Sequence, residues 1–209
     1  VVSVYDKDGV LLKGSGLRSG MSNDGFDNIG YQIGEDVYAV YEGLMKVEES
    51  NTTSLSTSLD GSLFRNENKV TYGYAGAMVA SAEGEGTSMG NDGFGNISRG
   101  TSTQQYAVFM GQAHQVRSEA TTTTQYVSGA TSENTVVTAI GRNAAGLVQE
   151  QRADVEGFSD DGYGNTTVET GTQLFLVDHN LVKIASSVNL SLATQLDGST
   201  SESTTETLF

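Results

Sequence analysis

The sequence predicts an all-β protein, an up-and-down antiparallel β-barrel of about twelve strands forming one domain over residues 1–209. Three observations carry that expectation. A short turn-forming loop recurs at Ser22–Asn28, Gly90–Asn96 and Ser159–Asn165, with Asp-Gly pairs at 24, 92 and 161. Segments between turn signals alternate apolar and polar residues with the period of a half-buried strand. No stretch of ten residues fits a helical template; Ala144–Ala153 comes nearest and lacks a cap.

Taken in order, Val1–Tyr5 reads as a strand running into a tight turn at Asp6–Gly9. Further short turns are expected at Gly34–Asp36, Gly76-Ala77, Gly111-Gln112, Gly141–Asn143 and Asp178–Asn180. Between them fall longer polar connections: Asn23–Asn28, Ser50–Asn68, Glu83–Thr103, Thr121–Asn134, Gly157–Thr167 and Asp197–Thr205. Gly takes positive φ freely and Asp and Asn tolerate it, so these residues punctuate a meander. Alternation is clearest in Val37–Glu48, Val70–Ala75 and Val182–Leu192, and weakest around Ala113–Glu119 and Leu147–Val155. Short and long connections take turns, which places tight turns at one end and long loops at the other. Closure would remove the open edges of so long a meander. Val1–Tyr5 and Thr204–Phe209 are expected to pair and complete the ring.

Composition narrows the function classes. The net charge is −15 and the pI is near 4.3, which repels nucleic acid and attracts cations. With no cysteine there is neither a disulfide framework nor a thiolate metal site. A chain opening on Val1 is read as trimmed and exported. No apolar run approaches the length of a membrane helix, although a membrane barrel carries only a weak hydropathy signal. His114 and His179 are the only histidines and no partner is arranged for either, so no enzyme is expected. No cofactor is required. The Asp-Gly loops bring carboxylate and amide oxygens together at Asp24, Asp27, Asp92, Asn96, Asp160 and Asp161, a donor set suited to Ca²⁺ as well as to turn capping. Phe26, Phe94 and Tyr163 offer a different use of the same loops, as stacking platforms for sugars.

The first third of the chain also resembles the general porins of Gram-negative outer membranes. The likeness lies in Val4–Gly9 followed by Leu11–Leu17, in Asn28–Tyr31 with Gly34–Val47 and its turn at Glu35-Asp36, and in Val70–Gly76. Phe209 matches the family's usual final residue. The resemblance implies a barrel in the cell outer membrane, in contact with lipid, passing small hydrophilic solutes and weakly preferring cations. Its lumen would be lined by Glu42, Lys46, Glu48, Arg117, Glu119, Glu150, Arg152, Asp154 and Lys183. Porins are longer and richer in aromatic residues, and Thr207, Thr205 and Ser203 occupy the usually apolar positions of the last strand. Two readings of other classes stand beside it. One is an exported, extracellular structural protein, a filament or surface-layer subunit that exchanges strands and is stabilised by Ca²⁺. The other is a carbohydrate-binding module with threefold repeats. A homo-oligomer fits the first two.

Overall fold

A computed structural model describes residues 2–178 and 181–209. They form one antiparallel sheet of thirteen strands in sequence order, without a helix among the described residues. β1 (Val2–Tyr5) is short. It is followed by β2 (Leu11–Asn23), β3 (Ile29–Tyr41), β4 (Leu44–Thr57), β5 (Leu63–Ala75), β6 (Met78–Asn91) and β7 (Ile97–Phe109). Then come β8 (Gln112–Gln125), β9 (Thr131–Arg142), β10 (Val148–Asp160), β11 (Thr166–Asp178), β12 (Leu181–Thr194) and β13 (Thr200–Leu208). The up-and-down all-β expectation is met, with thirteen strands rather than about twelve.

The connection at Asn23–Asn28 is a loop as expected, but most of the longer polar ones are not. Ser50–Asn68, Glu83–Thr103 and Thr121–Asn134 are mostly strand, each interrupted by five residues: Ser58–Ser62, Asp92–Asn96 and Tyr126–Ala130. Their Ser, Thr, Asn and Gly content reflects a sheet wetted on both faces. The turn expected at Gly34–Asp36 is likewise absent, because those residues lie mid-strand in β3; the real turn is Glu42-Gly43. Glu42 and Gly43 take φ of 50° and 78°, and Met110 and Gly111 take 51° and 76°, the paired positive values of a type I′ hairpin. Ala113–Glu119 is strand within β8, and Leu147–Val155 is the end of a turn followed by β10. The expected turn at Asp178–Asn180 falls largely outside the described residues.

The sheet is not closed into a barrel. β1 pairs with β2, β13 pairs with β12, and no ladder joins β1 to β13. The register gives the reason. Ile29 is opposite both Asn23 and Thr57, Leu63 opposite both Thr57 and Asn91, and Ile97 opposite both Asn91 and Gln125. The same row continues through Thr131, Asp160, Thr166 and Thr194 to Thr200. One perpendicular row thus crosses twelve strands with no accumulated stagger. A barrel needs strands tilted by about 35–45° and a fixed shear between its two edges. A sheet whose hairpins all end at one height supplies none.

Bulges add local twist near the opposite end. One residue is left unpaired in each hairpin there: Leu12, Glu48, Ala80, Val116, Gln149 and Ala185. They recur with the hairpins, so they re-aim side chains next to the turns without disturbing the level upper row.

A single sheet has no second layer to cover either face. Ala82 and Ala153 are the only buried hydrophobic residues among those described. Both lie on the face that also carries the buried glycines Gly34, Gly86 and Gly90. On this inner face, polar side chains fold over the glycines opposite them. Asn68 and Ser102 flank Gly86, Gln104 covers Gly84, and Asn189 covers Gly171. Beyond the bulges the Tyr41 and Tyr74 rings lie 4.5 Å apart, and Tyr74 Oη donates to the Val47 carbonyl at 2.6 Å.

Candidate functional site

The most regular chemistry lies in the six connections at the upper end, the loop rim. Three share one design. Asp24 Oδ1 accepts the Phe26 N–H at 2.8 Å and the Asn28 N–H at 3.3 Å, while Asn28 Nδ2 donates to Asp24 Oδ2 at 2.6 Å. Asp92 with Phe94 and Asn96, and Asp161 with Tyr163 and Asn165, repeat this pattern. The preceding Asn23, Asn91 and Asp160 accept the N–H of Gly25, Gly93 and Gly162. The expected calcium residues therefore sit together within each loop, but the carboxylates of Asp24, Asp92, Asp160 and Asp161 are engaged by their own loop's donors, and the Asn96 oxygen by Val127 of the neighbouring loop. These bonds hold the carboxyls below the usual aspartate range: the Asn28 amide leads for Asp24, the Phe94 N–H for Asp92, and the Asn165 amide for Asp161. Asp27 takes a φ of 64° in its loop. No group of three metal-ligating side chains converges among the described residues.

The other three loops of the rim form a second class, and they hold the first class in place. Leu59, Val127 and Leu196 donate their N–H to Asn28, Asn96 and Asn165 Oδ1 at 3.2, 2.9 and 2.9 Å. The repeat is thus a four-strand unit carrying one loop of each class. Its signal was in the sequence, since Leu59–Ser62 and Leu196–Ser199 are the same tetrapeptide, Leu-Asp-Gly-Ser. Each rim loop lifts one large apolar side chain into solvent. Phe26, Leu59, Phe94, Val127, Tyr163 and Leu196 are 70–76% exposed.

The nine residues expected to line a lumen do not form one group. Arg117 and Arg152 share a row through Ala139, and Glu119 and Asp154 share the next through Val137. All four lie on the outer face, in ion pairs of 2.8 Å (Arg117–Glu119) and 2.7 Å (Arg152–Asp154). Glu42, Lys46, Glu48, Glu150 and Lys183 sit near the turns; Glu48 is a bulge residue and accepts the Tyr41 hydroxyl at 3.2 Å. Of the histidines, His114 packs edge-on to Phe109 at 5.9 Å, and His179 lies outside the described residues.

Neither face carries an apolar belt. The mid-height outer row runs Leu17, Glu35, Asn51, Lys69, Glu85, Thr103, Glu119, Val137, Asp154, Thr172, Val188 and Glu206, polar or charged at nine of its twelve positions. Lys69 pairs with Glu49 at 2.8 Å, an ion pair that lowers the Glu49 carboxyl and raises the Lys69 ammonium. The inner row beside it reads Arg18, Gly34, Thr52, Asn68, Gly86 and Ser102. No protein-family model, curated protein or solved structure matches the chain.

Proposed function

We propose that this chain is an exported structural protein, a subunit that builds a filament or surface layer by associating with its own copies. The observation that carries the reading is its surface. The accessible area is 13198 Å² for a mass of 22.0 kDa. A compact monomer of that mass exposes about 9300 Å². The excess, roughly 3900 Å², falls within the range that obligate interfaces bury. A one-layer sheet with its faces, edges and both rims open accounts for such an excess.

The channel reading asks for two further features. Closure into a barrel requires a shear between the first and last strands, and the rows run level. A lipid-facing belt requires an apolar face, whereas each Lys or Arg at mid-bilayer on the lipid face costs about 2–4 kcal/mol. The charged outer rows therefore favour an aqueous setting, and the same rows, with their ordered ion pairs, suit a subunit held between copies. Capping of the Asp-Gly loops by their own donors favours an assembly that does not depend on Ca²⁺.

Electron microscopy and sedimentation of the detergent-free protein test this reading. The expected result is ordered polymers that form above a threshold concentration and persist in a chelator. A soluble monomer at every concentration, or a protein soluble only in detergent, would overturn it.

A further inference from the structure

Resting on that self-assembly reading, we propose that the copies join end to end, with the loop rim of one molecule seated on the turn rim of the next. The two ends of a level sheet share one period. Hairpins at either end follow each other every two strands, about 9.6 Å at the usual strand spacing. Each end is also a comb of exposed apolar side chains, one in each loop-rim hairpin and one in each of five turn-rim hairpins. At the loop rim the teeth are Phe26, Leu59, Phe94, Val127, Tyr163 and Leu196. At the turn rim they are Val10, Leu44, Met78, Met110 and Leu147, which are 51–85% exposed. Two combs cut from one sheet have matching pitch, whichever copy they belong to.

Charge disfavours one loop rim against another and leaves the turn rim, which carries both signs, as the better face. The six rim loops carry Asp24, Asp27, Asp60, Asp92, Asp161 and Asp197 and no Lys, Arg or His. A second loop rim would meet it with like charge. The turn rim instead carries Lys7, Lys13 and Lys46 among Asp6, Asp8, Glu42, Glu48 and Glu150. Those three lysines form no ion pair among the described residues; the ion pairs found there use other cations. Met78 and Met110 on the turn rim are adaptable side chains that repack readily around a partner. The loop rim is the stiffer surface, since Asn28, Asn96 and Asn165 lock neighbouring loops together. A contact between two different surfaces propagates instead of closing, which yields a filament with strands running along its axis.

Two triple variants test the contact. Phe94→Ser with Val127→Ser and Tyr163→Ser removes loop-rim teeth, and Leu44→Ser with Met78→Ser and Met110→Ser removes turn-rim teeth. All six side chains are mostly exposed, and unchanged circular dichroism and melting temperature establish that each variant folds. In sedimentation velocity each variant alone is expected to lose association at least about tenfold. A one-to-one mixture is expected to form dimers and nothing larger, because each dimer ends in two disabled rims. Either variant polymerising alone like the parent, or a mixture that stays monomeric while the parent polymerises, would overturn the end-to-end contact and leave self-assembly standing. A parent chain that never associates would overturn both.

Discussion

Gly86 and Gly157 are both strand glycines on the inner face, yet alanine at the two positions should act with opposite sign. A Cβ on Gly86 would lie 2.5 Å from Asn68 Oδ1, 2.6 Å from Ser102 Oγ and 3.1 Å from the Glu67 carbonyl oxygen. Two of those neighbours can swing away, but the backbone oxygen cannot. Overpacking of this kind costs about 1–3 kcal/mol. Relief of glycine's extra unfolded-state freedom returns about 0.4–1 kcal/mol. The net expectation for Gly86→Ala is a loss of roughly 0.5–2 kcal/mol. At Gly157 the nearest atom to a Cβ is Glu169 Cβ at 3.5 Å, an ordinary contact. Only the entropic gain remains there, so Gly157→Ala should stabilise by about 0.4–1 kcal/mol. For 209 residues at about 2.1 cal/mol/K each, 1 kcal/mol corresponds to roughly 2 °C in Tm. Thermal unfolding at matched protein concentration should therefore place Gly86→Ala about 1–5 °C below the parent and Gly157→Ala about 1–2 °C above it. Shifts of equal sign and size would refute the picture of polar side chains laid over facing glycines.

Other consequences follow from the loops and the level ladder. Asn96→Ala removes the acceptor for the Val127 N–H, at a cost of about 1 kcal/mol, and should speed hydrogen exchange at Val127 while leaving Leu196 unchanged. The lowered carboxyls of Asp24, Asp92 and Asp161 stabilise the fold above the ordinary value of about 3.9 and lose that contribution as pH falls through their own lower values. Tm should accordingly hold from neutral pH to about 4 and decline below it, with a shallower decline in Asp92→Asn. Excising residues 92–160 joins β6 to β11 through the equivalent loop at Asp161–Asn165. That shorter chain should still fold cooperatively, with a urea m-value lower by roughly a third, because each strand leans only on its neighbours. Loss of all β signal in the circular dichroism of the excised chain would show that distant strands depend on one another.

Much of the local structure could be read from the residues. Gly76-Ala77 and the Asp-Gly-aromatic loops lie where their φ requirements predict, and alternation in Val182–Leu192 reports a strand. The misreadings have physical causes. Gly34 looked like a turn former, but it is a strand glycine covered by the Arg18 side chain. Glu83–Thr103 looked like a loop because a one-layer sheet does not need apolar residues on either face, so much of β6 and β7 lacks a hydrophobic period. Closure was the least legible feature. It depends on stagger summed over every hairpin, and no single turn sequence encodes a sum. The aromatic teeth stood out as repeats, and Leu59 and Leu196 share the tetrapeptide Leu-Asp-Gly-Ser, whereas Val127 sits in a loop of different composition.

Diffraction from oriented fibres of the parent protein bears most directly on how the copies associate. Strands that run along the filament axis put the interstrand reflection, at about 4.7–4.8 Å, on the equator. Edge-to-edge growth of the sheet would turn that reflection onto the meridian, and a meridional arc would contradict the end-to-end assembly.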